Sequence, residues 1–212
     1  MACPPCSRAP PEAVGTSTAG YGHADMLKVY DSFWGLSGKP DCYAVEWRCP
    51  ECGDQDVEPV GPAPLFLDGG PSTADELSRW WCSQCDHRAE GSRFSGQRIT
   101  LPFEWWSKAE AAARTVKPGR LGSETVYVCL LTREEEPEIG LYVGMTGLTP
   151  IERFRNHKAG HKASKWVRKF GVGLLPQLTE HLLPMHREAA LATEDALRSA
   201  LRQAGLVWVE GH

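Results

Sequence analysis

No stretch of this chain approaches the ~18–20 consecutive apolar residues that a helical membrane span requires, so a membrane partner is not expected. The N-terminal Met1-Ala2-Cys3-Pro4-Pro5-Cys6 has neither a basic segment nor an apolar core. No secretory signal is readable there, and the expected compartment is the cytoplasm, where thiols stay reduced. Positive charge is not in overall excess, with a formal net of −4. What the chain does have is 212 residues, 42% of them hydrophobic, which suffices for one domain or two small ones. Its 21 glycines and 16 prolines demand generous loops. Its eight cysteines, in a reducing compartment, point to metal before disulfides.

The negative average hides an uneven distribution. Residues 1–120 carry the whole net of −4, while residues 121–212 are neutral. Within that neutral part, residues 151–170 set Arg153, Arg155, Lys158, Lys162, Lys165, Arg168 and Lys169 against Glu152 alone. A local +6 is the electrostatic footprint of a surface for a polyanion, although a charge run by itself also describes a solvated helix face.

Composition divides the chain into a flexible tail over 1–24, a cysteine-bearing module plus a helix over 25–117, a linker at 118–123, and a C-terminal unit over 124–212. Residues Phe103 to Val116 carry good helix formers. Thr125 to Leu131 and Ile139 to Met145 read as two strands of an antiparallel hairpin joined by an acidic turn. Thr149-Pro150-Ile151-Glu152 is a capping box with proline at the first helical position, so a helix starts there and stops at Gly160. A second helix is expected over Lys162 to Phe170, a third strand over Gly173 to Leu183, and a long helix over Pro184 to Ala204. The fold class is therefore α+β, preceded by a module that looks like a zinc ribbon.

Cys49-Pro-Glu-Cys52 and Cys82-Ser-Gln-Cys85 are two C-x2-C pairs, each able to present both sulfurs from one tight knuckle. Two knuckles complete the four-thiolate shell that Zn²⁺ prefers in closed structural sites. A small loop-rich segment needs such a staple, having too little core of its own. Cys3-Pro-Pro-Cys6 reads as an unliganded tail, Cys42 and Cys129 are single with Cys129 a core residue, and His87 is only a weak alternative ligand. Trp47, Trp80, Trp81, Trp105 and Trp106 read as core rather than as base-stacking platforms.

In the C-terminal unit, polar residues fall where apolar ones belong. Arg153 and His157 lie four apart on one helix face. Glu194 interrupts an inward stripe of Ala190, Leu197 and Leu201, and a carboxylate aimed at a core needs a cation. Tyr127 and Tyr142 occupy the two hairpin strands. Such a set beside a basic helix suits Mg²⁺-assisted attack on a phosphodiester.

These residues resemble the GIY-YIG nuclease family. Thr125-Val-Tyr127 resembles its first motif and Tyr142-Val-Gly144 its second, followed by Arg153, His157 and Glu194 in order. Thr125 stands where the family has glycine. The family's terminal asparagine has no counterpart, with Trp208, Glu210 and His212 in that region and Asn156 the sole asparagine of the chain. The resemblance implies endonuclease activity on a nucleic-acid backbone with one Mg²⁺ at Glu194. It further implies a small three-stranded antiparallel sheet flanked by helices, with Tyr127 near the attacking water as a base or a hydrogen-bond positioner, Tyr142 orienting water or phosphate, Arg153 clamping phosphate, and His157 relaying a proton or binding phosphate. Arg155, Lys158, Lys162, Lys165, Arg168 and Lys169 are the expected nucleic-acid contacts. DNA is the expected partner and RNA the other target. The N-terminal module would position the substrate, a protein partner or a second copy in a homodimer. The competing reading is a catalytically silent, zinc-containing nucleic-acid-binding or adaptor protein.

Overall fold

In the computed structural model the described residues are 26–31, 41–55, 57–59, 66–67, 70–71, 79–90, 95–133 and 138–211. The tail over 1–24, with Cys3 and Cys6, and His212 lie outside them.

The C-terminal sheet is built on a long hairpin, β9 (Leu121–Arg133) and β10 (Glu138–Thr146), paired in register from Glu138↔Arg133 to Thr146↔Thr125. Strand β11 (Gly171–Leu174) joins the free edge of β9 antiparallel. The expected third strand over 173–183 stops at Leu174, because Pro176 has no N–H to extend a ladder and instead opens a 3-10 turn, Pro176–Leu178. A fourth strand, β12 (Val209–Glu210), pairs parallel with β10, giving the order β11-β9-β10-β12 rather than three strands. Arg202 fixes it by donating to the Val209 carbonyl from Nε (3.1 Å) and Nη2 (2.6 Å).

Successive residues of the hairpin enter two different cores, which is why its sequence is apolar almost throughout. Tyr127, Cys129, Leu131 and Tyr142 face the helices α2 (Pro150–Ala159) and α3 (Lys165–Phe170) through Phe154, Trp166 and Val167. Val126, Val128, Leu130, Leu141 and Val143 face α4 (Arg187–Gln203) through Ala190, Leu197 and Leu201. The capping box is present in full, with the Glu152 N–H on Thr149 Oγ1 and the Thr149 N–H on Glu152 Oε2. Gly160 closes α2 with φ 88°, a left-handed conformation that glycine adopts at little cost.

The N-terminal part contributes a three-stranded antiparallel sheet of β1 (Leu27–Asp31), β2 (Asp41–Trp47) and β8 (Ser95–Pro102). Helix α1 (Phe103–Thr115) follows β8 directly. Strands β3 (Val57–Pro59), β6 (Arg79–Cys82) and β7 (Arg88–Glu90) form a second small sheet, and β4 (Phe66–Leu67) pairs with β5 (Gly70–Pro71). Leu27, Cys42, Ala44, Leu101, Trp106 and Ala109 belong to the same core as Val128 and Leu197. Gln177 pins β1 to the 3-10 turn, accepting from the Val29 N–H and donating to the Val29 carbonyl.

The stretch read as a linker at 118–123 is tied by backbone hydrogen bonds to the segment that precedes α4. The Gly122 N–H bonds the Pro184 carbonyl and the His186 N–H bonds the Arg120 carbonyl, both at 3.0 Å. A Cβ on Gly119 would lie 2.6 Å from Ala189 Cβ, and one on Gly122 would lie 2.3 Å from the His186 nitrogen. These glycines permit close backbone approach rather than flexibility. Among the described residues no helix is long and apolar enough to cross a membrane.

Candidate active site and four-cysteine cluster

The pairing of β9 with β10 brings Tyr127 and Tyr142 diagonally together on the face covered by α2, with ring centroids 6.3 Å apart. Helix α2 supplies His157, whose ring lies edge-on to Tyr142 at 5.8 Å. His157 Nε2 is 2.9 Å from Tyr127 Oη, and Nδ1 accepts the Ser164 N–H at 2.8 Å. The ring is wholly buried, so it is neither a helix-surface histidine nor in contact with solvent.

Arg153, one turn earlier on α2 and half-buried, hydrogen-bonds Tyr127 and donates from Nη2 to the Lys162 carbonyl at 3.1 Å. Burial pushes the Tyr127 phenol well above the ordinary tyrosine value; Arg153 opposes the shift without reversing it. Burial likewise pushes Tyr142 up to about 12, a hydrogen bond with Ser164 works against this, and the nearby Glu194 charge adds to it. Glu194 comes from α4 on the opposite face of the sheet, is 4% exposed, and has Oε2 fully enclosed. Tyr127, Tyr142, Arg153 and His157 are thus brought together, and Glu194 lies within electrostatic reach of Tyr142.

Ser164 carries no signal as a site residue in the sequence. It is the N-cap of α3, buried at 8% exposure, and it touches both His157 and Tyr142. The only advance sign of it is a serine just before a helix.

The basic residues divide. Arg155, Lys162, Lys165, Arg168 and Lys169 are exposed, with Lys165 over the Trp166 ring and Lys169 over the Phe170 ring, each at 4.9 Å. Lys158 is turned inward: its Nζ donates to the Gly171 carbonyl at 2.9 Å and the Arg168 carbonyl at 3.3 Å, and burial lowers its pKa. It joins the end of α3 to α2. A cleft of about 410 Å³ runs from Trp47, Arg48 and Asp54 to Ile151 and Arg155, so the N-terminal module and α2 line one surface.

The four cysteines form a compact cluster whose ligand atoms all lie within 4.8 Å of one another. Cys49 and Cys85 are 3.5 Å apart at sulfur, Cys52 and Cys82 3.6 Å. Thiolates ~2.3 Å from a tetrahedral metal ion would stand about 3.8 Å apart, so the sulfurs already have the spacing of a shell that could hold a metal such as zinc. The knuckles repeat each other. The Cys49 N–H bonds the Asp54 carbonyl and the Cys82 N–H the His87 carbonyl. Gly53 and Asp86, both at positive φ, donate back to the Cys49 and Cys82 carbonyls. Burial works to raise the Cys49 thiol, yet the Cys52 and Glu51 amides and neighbouring thiols bring it down to about 7. At Cys85 the His87 amide lowers the value, but burial and the other three thiols push it up to about 12. One thiolate makes the next costly, and a cation at the centre removes that penalty. His87 takes no part in the cluster among the described residues. Trp47 stacks on Trp80 at 3.9 Å beside it, and both are core, as is Cys129.

Compared with protein-family models, curated proteins and solved structures, the chain matches none.

Proposed function

We propose that this protein is a Mg²⁺-dependent endonuclease of GIY-YIG type, acting on DNA, with a structural zinc ion in its cysteine module. The observation that carries the reading is the convergence of Tyr127, Tyr142, Arg153 and His157 under one pair of helices that also bear the exposed cationic run. Residues separated by thirty positions have no packing reason to be a tyrosine, an arginine and a histidine together; phosphodiester chemistry gives one.

Hydrolysis joins a water oxygen to phosphorus and breaks the bond to one ester oxygen, leaving a phosphate monoester and a hydroxyl. Arg153 spends one of its five N–H donors on the Lys162 carbonyl and keeps others for a phosphate oxygen, whose charge rises in the transition state. Tyr127 and Tyr142 act as neutral phenols that orient water and phosphate, since burial holds both protons in place. Glu194 would hold the cation. Among the described residues it belongs to no cluster of three or more metal-ligating side chains, which fits Mg²⁺, an ion that accepts one or two carboxylates and fills its shell with water and substrate phosphate. When bound, Mg²⁺ supplies Lewis-acid stabilisation of the phosphate charge.

The cysteine cluster offers four sulfur ligands, which would leave a bound ion no open position, the pattern of a structural rather than catalytic zinc. Arg48 and Arg155 lining one cleft support a substrate-positioning role for the module.

The test is cleavage of supercoiled plasmid, single-stranded DNA and RNA by the full chain, with Mg²⁺ or chelator. Mg²⁺-dependent nicking of plasmid that vanishes in Glu194→Gln is the expected result. Tight, salt-sensitive binding with no cleavage of any substrate would overturn the enzyme in favour of the silent binding or adaptor protein.

A further inference from the structure

The two hydrogen bonds of the buried His157 ring fix where its proton lies. The partner of Nδ1 is the backbone N–H of Ser164, 2.8 Å away. An amide N–H only donates, so Nδ1 must offer a lone pair. That excludes the imidazolium, in which both nitrogens carry hydrogen, and places the proton of the neutral ring on Nε2. The contact between Nε2 and Tyr127 Oη at 2.9 Å is then a bond in which histidine donates and tyrosine accepts.

Ser164 is held in place to do this. Lys162 turns the chain at φ 46°, with its carbonyl gripped by Arg153, and Ser164 follows as the N-cap of α3 at φ −66° and ψ 129°. The same residue hydrogen-bonds Tyr142 through its side chain. The Tyr127 oxygen also interacts with Arg153, a side chain that only donates. With His157 donating to the phenol oxygen, the hydroxyl hydrogen of Tyr127 must point elsewhere.

We infer that His157 is a positioning residue, locked by the Ser164 amide as the Nε2–H tautomer, whose donation to Tyr127 leaves the tyrosine hydroxyl hydrogen to be donated to the reacting phosphate or water. The tautomer stands on geometry alone; the use made of the Tyr127 hydroxyl rests on the nuclease reading. Under this inference His157 neither relays a proton nor touches phosphate, because Nδ1 is taken by the Ser164 amide and Nε2 by Tyr127.

The tautomer is read from a long-range ¹H–¹⁵N correlation spectrum of the ¹⁵N-labelled full chain at neutral pH, with the His157 signal assigned by its loss in His157→Gln. The Nε2–H pattern is expected; an Nδ1–H pattern or an imidazolium overturns the inference. Cleavage then separates donor from base, because a glutamine amide can still donate to Tyr127 but cannot take up a proton. His157→Gln should stay within about tenfold of the unsubstituted chain, while His157→Ala loses ~100-fold or more, the cost of letting a reacting group shift by about 1 Å. Glutamine as inactive as alanine, with both variants folded, overturns the positioning role. If the unsubstituted chain cleaves nothing while the spectrum shows Nε2–H, the nuclease reading falls and the role assigned to the Tyr127 hydroxyl falls with it, but the tautomer stands.

Discussion

Gly144 lies directly across the β9–β10 ladder from Tyr127, and the tyrosine ring leans into the space a side chain at 144 would fill. A Cβ there would stand 2.7 Å from Tyr127 Oη, 2.8 Å from its Cζ and 2.9 Å from Tyr142 Cε1. The third residue of the Tyr-Val-Gly motif is thus the floor on which both phenols rest. Gly144→Ala should displace Tyr127 from His157 and abolish cleavage, with a stability cost of about 1–3 kcal/mol typical of overpacking. Cleavage rate and melting temperature of the one variant check this; near-normal cleavage would show that the tyrosine position is not critical.

The two buried phenols give a pH signature whose sign is fixed. Free tyrosine ionises near about pH 10, whereas burial moves Tyr142 up to about 12 and raises Tyr127 as well. Above about pH 10 the unfolded chain sheds these protons while the fold still binds them, so stability falls as pH rises through the folded value. Urea midpoints between about pH 8 and 11 should decline, and Tyr142→Phe should lessen the decline. Equal slopes for the two proteins would refute the assignment to Tyr142.

Local signals made much of this legible, and tertiary ones did not. The hairpin announces itself by β-branched and apolar runs that serve two cores at once, and Thr149-Pro150-Ile151-Glu152 states its helix start in four residues. The diagonal approach of Tyr127 and Tyr142 follows from period-two alternation once the strands are paired. By contrast, β12 is two residues long and exists because Arg202 holds its Val209 carbonyl and the Trp208 carbonyl accepts the Leu141 N–H of β10, which no periodicity encodes. Gly119 and Gly122 look like linker glycines, because close approach to Ala189 and Met185 leaves the same composition as flexibility. Ser164 was invisible because its contact with His157 depends on a turn through Lys162 at positive φ. Lys158 is indistinguishable from its neighbours by charge, yet it alone of that run reaches back to the carbonyls of Arg168 and Gly171.

That division of the lysines is itself testable. Replacing Lys162, Lys165, Arg168 and Lys169 by Gln should weaken duplex binding and reduce the slope of log affinity against log salt by about 3–4, since each phosphate contact contributes roughly 0.9. Lys158→Gln should leave the slope unchanged and lower the melting temperature instead, as two carbonyls lose a charged donor. A slope unchanged in the fourfold variant would make the run a solvated face.

The cysteine module should carry one zinc per chain, and the Trp47–Trp80 stack beside it is a built-in reporter. Cys49 and Cys82 belong to the same small buried cluster as both tryptophans, so losing the ion should loosen that packing. Cys82→Ser should remove the zinc and change tryptophan emission while far-ultraviolet helix signal from α2 and α4 persists. Elemental analysis finding no zinc in protein prepared without chelator would refute the site.

Glu194 separates an enzyme from a binding protein most sharply. It sits on the buried stripe of α4 between Ala190 and Leu197, at 4% exposure, where an ionised carboxylate is costly unless a cation uses it. Its charge reaches Tyr142 across the sheet. If the cation is Mg²⁺, Glu194→Gln keeps the volume and removes the charge the ion needs. Cleavage should fall by orders of magnitude, because metal stabilisation of phosphate charge is worth several kcal/mol and each ~1.4 kcal/mol is tenfold in rate. DNA affinity should hardly change, since the exposed cations lie on α2, on α3 and in the turn between them. Folding should survive or improve with one buried charge fewer, and Tyr142 should ionise at lower pH once the carboxylate charge is gone. A structural glutamate behaves oppositely: the same substitution lowers the melting temperature and leaves specific activity within a few fold. Melting temperature, DNA affinity and cleavage rate measured on one purified variant decide between them, and full activity with reduced stability would end the metal-ligand assignment.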